Sequence, residues 1–242
     1  PIIEQVRREN SNLEKVILVG EDVSPDDLKL EDLLKPHADP AVIRQTLEQA
    51  RPDPGDVCQI LPSGGTTGLP KGAPRTHNDY ICNVEYKSLA WDINPTDTCL
   101  VVATVGHNLG LLVCVCASVF HGAKIIMQDS TYPEDFCRSV QNEKVSCTGL
   151  VPTLISRIVK YENLENFDLS SLKKIYVGAA NSPPELVREV EEKLGARYIN
   201  AFGMVEGPVS QSRPDDPVEV RFGTIGRPCC PYDHMVTLDV DG

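Results

Sequence analysis

The segment richest in chemical possibility is Leu61-Pro62-Ser63-Gly64-Gly65-Thr66-Thr67-Gly68-Leu69-Pro70-Lys71-Gly72. Glycines and hydroxyl residues follow a strand-like run, and a lysine closes the cluster. Glycine lets the backbone approach an anion closely, and successive amides and hydroxyls donate to phosphate oxygens. Lys71 adds a point charge. The spacing excludes a Walker A loop, which needs Gly directly before the lysine and Ser/Thr directly after it; here Pro70 precedes and Gly72 follows. It also departs from the G-x-G-x-x-G dinucleotide fingerprint. The bland alternative is a flexible surface loop.

The elements that must position this loop alternate along the chain. Helical patterns cover Pro1–Asn10, His77–Trp91, Leu109–His121, Pro133–Glu143 and Pro183–Leu194, and Pro152 opens another helix. In the second of these, Tyr80, Ile81, Val84 and Trp91 share one face. Short apolar runs read as strands at Lys15–Val19, Val57–Leu61, Cys99–Ala103, Lys124–Gln128, Ser146–Val151, Lys174–Val177 and Arg197–Ala201. This alternation predicts an α/β fold, a mostly parallel sheet with helices on both faces. It breaks near Arg213, where prolines precede a β-like ending over His234–Val240. The expected organisation is a preceding subdomain and connector over 1–54, a ligand-binding α/β subdomain over 55–212, and the start of a small β region over 213–242.

The 242 residues carry 23 basic and 35 acidic side chains, a formal charge of −12. That balance argues against nucleic acid or an anionic membrane surface as partner. The run Leu109–Phe120 has 12 residues, too short to span a bilayer, and no signal peptide is visible. The 9 cysteines lack Cys-x-x-Cys spacing and mostly sit in apolar runs. They read as buried free thiols in a reducing cytoplasm. A start at Pro1 and an end at Gly242 read as a piece excised from a longer protein.

With these features in place, the sequence resembles the adenylate-forming superfamily of acyl-CoA synthetases, adenylation domains and luciferases. Residues 63–72 are similar to its Ser/Thr-Gly-Thr-Thr-Gly-x-Pro-Lys-Gly loop. Phe202-Gly203-Met204-Val205-Glu206 resembles its Tyr-Gly-x-Thr-Glu, and Gly223-Thr224-Ile225-Gly226-Arg227-Pro228 its Gly-x-x-Gly-x-Pro. Gly178-Ala179-Ala180 stands where the family has Gly-Gly-Ala. Ser63-Gly64-Gly65, Pro74-Arg75-Thr76-His77, His107-Asn108 and Pro231-Tyr232-Asp233 look most like the aryl-acid branch, which includes 2,3-dihydroxybenzoate-AMP ligases.

The resemblance implies ATP-dependent activation of a carboxylic acid to an acyl-adenylate with release of pyrophosphate. Transfer to CoA or to a carrier pantetheine, with an acyl carrier domain as a possible partner, would follow. It assigns Ser63, Gly64, Gly65, Thr66, Thr67, Gly68 and Lys71 to phosphate, and Glu206 to Mg²⁺. It assigns Gly178, Ala179, Ala180, Phe202, Gly203 and Met204 to the adenine side, and His107, Asn108, Val113 and Gly178 to the acid, with Lys71, His107 and Glu206 catalytic. Asn108 also fits as the N-cap of the helix it precedes. Phe202 keeps an aromatic ring but loses the family's hydroxyl, and Val205 replaces its threonine. Val113 stands where the dihydroxybenzoate branch has a small polar residue. A hydroxybenzoate, a benzoate or a comparable cyclic or short apolar acid is therefore expected rather than 2,3-dihydroxybenzoate. The remainder of the small β region and a mobile lid with a catalytic lysine are expected beyond Gly242, so the chain alone should make little thioester. Alternative readings are an aliphatic acyl-CoA synthetase and a nucleotide-binding piece without turnover.

Overall fold

The computed structural model describes residues 2–20, 27–34, 39–63, 71–236 and 238–239. The chain divides into two compact units, Pro1–Pro52 and Asp53–Gly242. In the first, α1 (Ile2–Glu9) precedes a short parallel pair, β1 (Ile17–Leu18) and β2 (Leu28–Lys29), then α2 (Leu30–Leu33) and α3 (Pro40–Gln49). The Asp39 carboxylate caps α3 by accepting from the Ala41 amide at 2.8 Å. His37 lies outside the described residues.

The second unit opens with a hairpin of β3 (Val57–Ser63) and β4 (Lys71–Thr76), antiparallel, with Ser63 opposite Lys71. The hairpin is a two-stranded sheet of its own. The Val57–Leu61 strand expected from sequence is thus real but lies outside the parallel sheet, and it pairs across the glycine-rich loop. Gly64, Gly65, Thr66, Thr67 and Gly68 lie outside the described residues. Thr76 then caps α4 (His77–Trp91), its hydroxyl accepting from the Asp79 amide at 3.2 Å.

The larger sheet contains β5 (Thr98–Val101), β6 (Lys124–Met127), β7 (Cys147–Leu150), β8 (Lys174–Val177), β9 (Arg197–Gly203), β10 (Val209–Gln211) and β11 (Arg227–Pro228). Their order is β11-β10-β9-β8-β7-β5-β6. The pairs among β5 to β9 are parallel, and β10 and β11 add antiparallel at one edge. Between β5 and β6, Leu109–Cys116 is π-helical and runs into α5 (Ala117–His121). The remaining helices are α6 (Pro133–Glu143), α7 (Pro152–Val159), α8 (Pro184–Leu194) and α9 (Val218–Gly223). Alternate strand residues point to opposite faces. Leu100, Leu150, Ile175, Val177 and Tyr198 pack with α6, α7 and α8 on one face. Cys99, Val101, Cys147, Tyr176 and Ile199 pack with Trp91, Leu109, Val113 and Cys114 on the other. Burial on both faces explains why β8 reads as a nearly continuous apolar run.

Several sequence expectations need correction. Residues 234–236, 238 and 239 are described and form no strand, so the β-like ending over His234–Val240 is absent there. Ile81 is 56% exposed, and the face of α4 that packs inward carries Lys87 instead. Lys71 opens strand β4 rather than sitting on a loop after a parallel strand. Helix α9 and the short strands β10 and β11 were not apparent in the proline-rich stretch. The cysteines are free; Cys99, Cys114, Cys137 and Cys147 are buried, whereas Cys58 is exposed.

Candidate active site

Open α/β sheets gather ligands at the carboxyl ends of their parallel strands. Here the ends of β8 and β9 open onto one cavity. Gly178 and Ala179 follow β8. The Gly178 amide donates to the Leu150 carbonyl at 3.4 Å, and Ala179 has φ +73°. A residue with a Cβ in that left-handed region costs about 1–2 kcal/mol, so the surrounding structure holds a strained bend at the ligand-facing edge. At the end of β9, Gly203 stands opposite Val209 of β10, and the intervening turn carries Met204, Val205 and Glu206. The Gly207 amide closes that turn on the Met204 carbonyl at 3.3 Å.

Side chains from β4 and α4 fasten this turn. The buried Arg75 guanidinium pairs with Asp79, with one Nη2–Oδ1 bond of 2.7 Å, and its Nη1 donates to the Val205 carbonyl at 2.6 Å. The Asp79 hydrogen bond holds the guanidinium charged against its burial. With its amide oriented to satisfy both ends, Asn83 accepts from Arg75 at 2.9 Å and donates to the Gly207 carbonyl at 3.3 Å. Tyr80 Oη donates to Asn108 Oδ1 at 2.8 Å. Burial pushes the Tyr80 phenol up to about 12, with Arg75 opposing, so it remains a proton donor. Its bond engages the oxygen of Asn108, a residue of the cavity wall.

The other reading of Asn108 is not realised: its side chain makes no capping hydrogen bond. His107 caps instead, Nδ1 accepting from the Leu109 amide at 3.1 Å. That bond places the ring proton of neutral His107 on Nε2. Gly110 permits the close approach of this helix. A Cβ there would lie 2.4 Å from the Thr104 carbonyl oxygen.

Arg75, Asn83, His107, Asn108, Gly178 and the Met204–Glu206 turn line one cavity of about 490 Å³. Of the residues assigned from sequence, Ser63, His107, Asn108, Val113, Gly178, Ala179, Gly203, Met204 and Glu206 all meet in its wall. Lys71 does not contribute to the wall; it is exposed beside Ser63 at the base of the loop. Ala180 and Phe202 are exposed and stand outside it. Sequence reasoning missed Asn83, Lys87 and Tyr176 in the wall and named Arg75 only inside a motif. The Arg75/Asp79 spacing of four, straddling a helix start, was the available signal for Arg75. A second cavity, about 1020 Å³, shares His107, Leu109 and Ala179 with the first and is otherwise largely apolar, with Val101, Leu150 and Leu154 in its wall.

Among the described residues no group of three or more His, Cys, Asp or Glu side chains converges as a metal cage. The exposed Glu206 carboxylate is a single hard ligand. That donor set fits Mg²⁺, which commonly takes one or two carboxylates and fills its other positions with phosphate oxygens and water.

A family model described as AMP-binding enzyme matches residues 2–242. The chain belongs to that family. A salicylyl-CoA synthase / salicylate adenylyltransferase of a Streptomyces species is 32% identical over 238 residues, 97% of this chain and 43% of the relative. The 2,3-dihydroxybenzoate-AMP ligase of Bacillus subtilis is 33% identical over 236 residues, 97% of this chain and 42% of its own length. The apo structure of MbtA from Mycobacterium smegmatis superposes with a TM-score of 0.84 at 26% identity, covering 100% of this chain and 43% of that one. This AMP-binding chain thus spans less than half the length of the relatives it matches. It holds the parallel strand ends, the Glu206 turn and the His107–Asn108 helix start in one cavity wall.

Proposed function

We propose that the chain forms the ATP- and acid-binding part of an enzyme that activates an aryl or cyclic carboxylic acid. A carboxylate oxygen of the acid attacks the α-phosphorus of ATP. The new P–O bond forms as the bond to pyrophosphate breaks, giving an acyl-adenylate and pyrophosphate. The observation that carries this reading is the single cavity in which Ser63, Glu206, Gly178 and Asn108 converge. On this reading a phosphate side and an acid side share one cavity, which is what a displacement between two bound substrates requires.

Each residue then has a task. The amides of the glycine-rich loop, with Ser63 and Lys71, take the phosphates of ATP. Glu206 would hold Mg²⁺, whose charge offsets that developing on the phosphate oxygens. Gly203, Met204 and Ala179 present backbone to the nucleotide. His107 offers an Nε2–H donor, and Asn108 offers amide donors, to the acid. Two relatives described as acting on salicylate and 2,3-dihydroxybenzoate support an aromatic acid. The second cavity adjoins the first at His107 and Ala179. It suits the approach of a pantetheine thiol, from CoA or a carrier domain, to the carbonyl carbon of the adenylate; attack there expels AMP. Acid-dependent exchange of labelled pyrophosphate into ATP by the full-length protein, run over a panel of acids, tests the reading. Exchange with aryl acids supports it, and exchange with none of the acids overturns it.

A further inference from the structure

Two cations are buried in the cavity wall among the described residues, and they differ. Arg75 is neutralised by Asp79. Lys87 is not: it is 6% exposed, and no described carboxylate or carbonyl accepts from its ammonium. What it has is the face of Tyr176, with Nζ 4.9 Å from the ring centroid. Tyr176 is itself buried against Trp91, ring centroids 5.5 Å apart. A cation–π contact offsets only part of the cost of taking an ammonium out of water. Burial accordingly pushes Lys87 down to about 8. Arg75 adds repulsion, and the Cys229 and Cys114 thiols act in the opposite direction. A lysine can escape such a cost by extending to solvent, but Lys87 faces the substrate cavity instead.

Lys87 lies over the side chain of Tyr176, whose backbone is set about 7 Å back along the strand from Gly178, two residues later. Lys87 also follows Asn83 by one helical turn of α4 and Tyr80 by two, which places it further along the pocket than the Tyr80–Asn108 contact.

We propose that Lys87 sets the substrate class: an aryl or cyclic acid carrying a second carboxylate on the far side of the ring, which pairs with the Lys87 ammonium. This deepens the acid-activating function and rests on it. A neutral hydroxyl would accept a hydrogen bond from Nζ but leave the charge uncompensated. A carboxylate does both, and charge-assisted bonds are about twice as strong as neutral ones. Val113, in the same wall, offers a ring substituent no polar partner, so the preference is for a polar group on the Lys87 side.

The test is pyrophosphate exchange by the full-length protein with isophthalate, terephthalate, 3- and 4-hydroxybenzoate and benzoate. Wild type should favour at least one dicarboxylate over benzoate in kcat/KM. Lys87→Met should lower that ratio by on the order of 10²-fold, and Lys87→Arg should restore part of it. As pH rises from 7 to 9, the wild-type KM for the dicarboxylate should rise relative to that for benzoate. This arm also serves if Lys87→Met does not fold. A wild-type preference for benzoate or the hydroxybenzoates, a ratio unchanged in a folded Lys87→Met, or a ratio indifferent to pH would overturn the proposal. Exchange with none of these acids, nor with salicylate or 2,3-dihydroxybenzoate, would instead overturn the acid-activating function, and the role of Lys87 with it.

Discussion

Arg75 Nη1 donates to the backbone carbonyl of Val205 at 2.6 Å, joining residues 130 apart in the chain. Because Val205 precedes Glu206, this bond makes Arg75 a positioning residue for the proposed metal ligand. Arg75→Met should slow pyrophosphate exchange by about 10- to 100-fold, the usual range for groups that orient a metal ligand. The Mg²⁺ concentration for half-maximal rate should also rise, which separates positioning from a general loss of folding. Unchanged Mg²⁺ dependence in a folded variant would remove Arg75 from this role.

Glu206 and Lys71 are both exposed. Substituting them should leave stability within about 0.5 kcal/mol of wild type. Glu206→Gln and Lys71→Ala should nevertheless each slow exchange by on the order of 10²-fold, the loss of one contact to developing charge. Thermal melts together with exchange rates check both halves. Wild-type exchange in Glu206→Gln would take that residue out of the site.

Legibility followed the range of the interactions. Helix α6 was readable because Pro133 opens it and its apolar period is intact, and β8 because both of its faces are buried. About half of the cavity wall is legible in the sequence, since short motifs at strand ends and helix starts carry their own backbone chemistry. The hairpin was half hidden: Pro74 sits inside β4, and its partner strand lies across the glycine-rich loop. The side-chain partner of Asn108 is Tyr80, on another helix, so local sequence could only offer capping. Lys87 was missed because a single charge in an amphipathic helix reads as solvent-facing. Its burial is decided by Tyr176 and Trp91, which tertiary packing brings to it.

Val113 and Asn108 share the cavity wall because the Val113 amide donates to the Asn108 carbonyl at 3.0 Å across one wide π-helical turn. A substrate hydroxyl facing Val113 would be buried without a partner, a loss of about 1–3 kcal/mol. Val113→Ser should therefore raise the preference for 2,3-dihydroxybenzoate over salicylate by roughly tenfold, within the range that a single polar contact commands. Competition between the two acids measures it. A wild-type enzyme that already prefers the dihydroxy acid would overturn this account of Val113.

The second cavity offers a separation of the two half-reactions. Leu154 lines it and is absent from the wall of the first. Leu154→Trp should obstruct the thiol path and slow thioester formation by on the order of 10²-fold, as misplacement of a reacting group does. Acid-dependent pyrophosphate exchange should persist, because nothing on the phosphate side changes. Equal loss of both activities would place the thiol path elsewhere.

The last prediction concerns alkaline stability. Burial pushes the thiols of Cys137 and Cys229 up to about 11, and the phenol of Tyr198 up to about 12 against a hydrogen bond with Ser182. An unfolded cysteine loses its proton near 8.5. Between about 8.5 and 11 the folded chain therefore holds protons that the unfolded chain has released. The stability these thiols contribute is fully present below about pH 8.5 and is lost as pH rises towards 11. Lys87 has the opposite sign. Its folded value of about 8 lies below the usual 10.5 for lysine, so it adds stability as pH rises through that interval. One lysine offsets about one thiol, at roughly 1.4 kcal/mol per pH unit each. Cys99, pushed well up by its hydrogen bond with Cys114 and by burial, and Cys147, pushed well up by its hydrogen bond with Cys99 and by burial, add to the thiol side. The net expectation is a steep fall in stability above pH 9. Urea denaturation under reducing conditions at pH 7, 9 and 10.5 measures it. Cys137→Ala should flatten the decline by about one proton's worth, and Lys87→Met should steepen it. A decline unaffected by Cys137→Ala would show that this thiol does not titrate with unfolding.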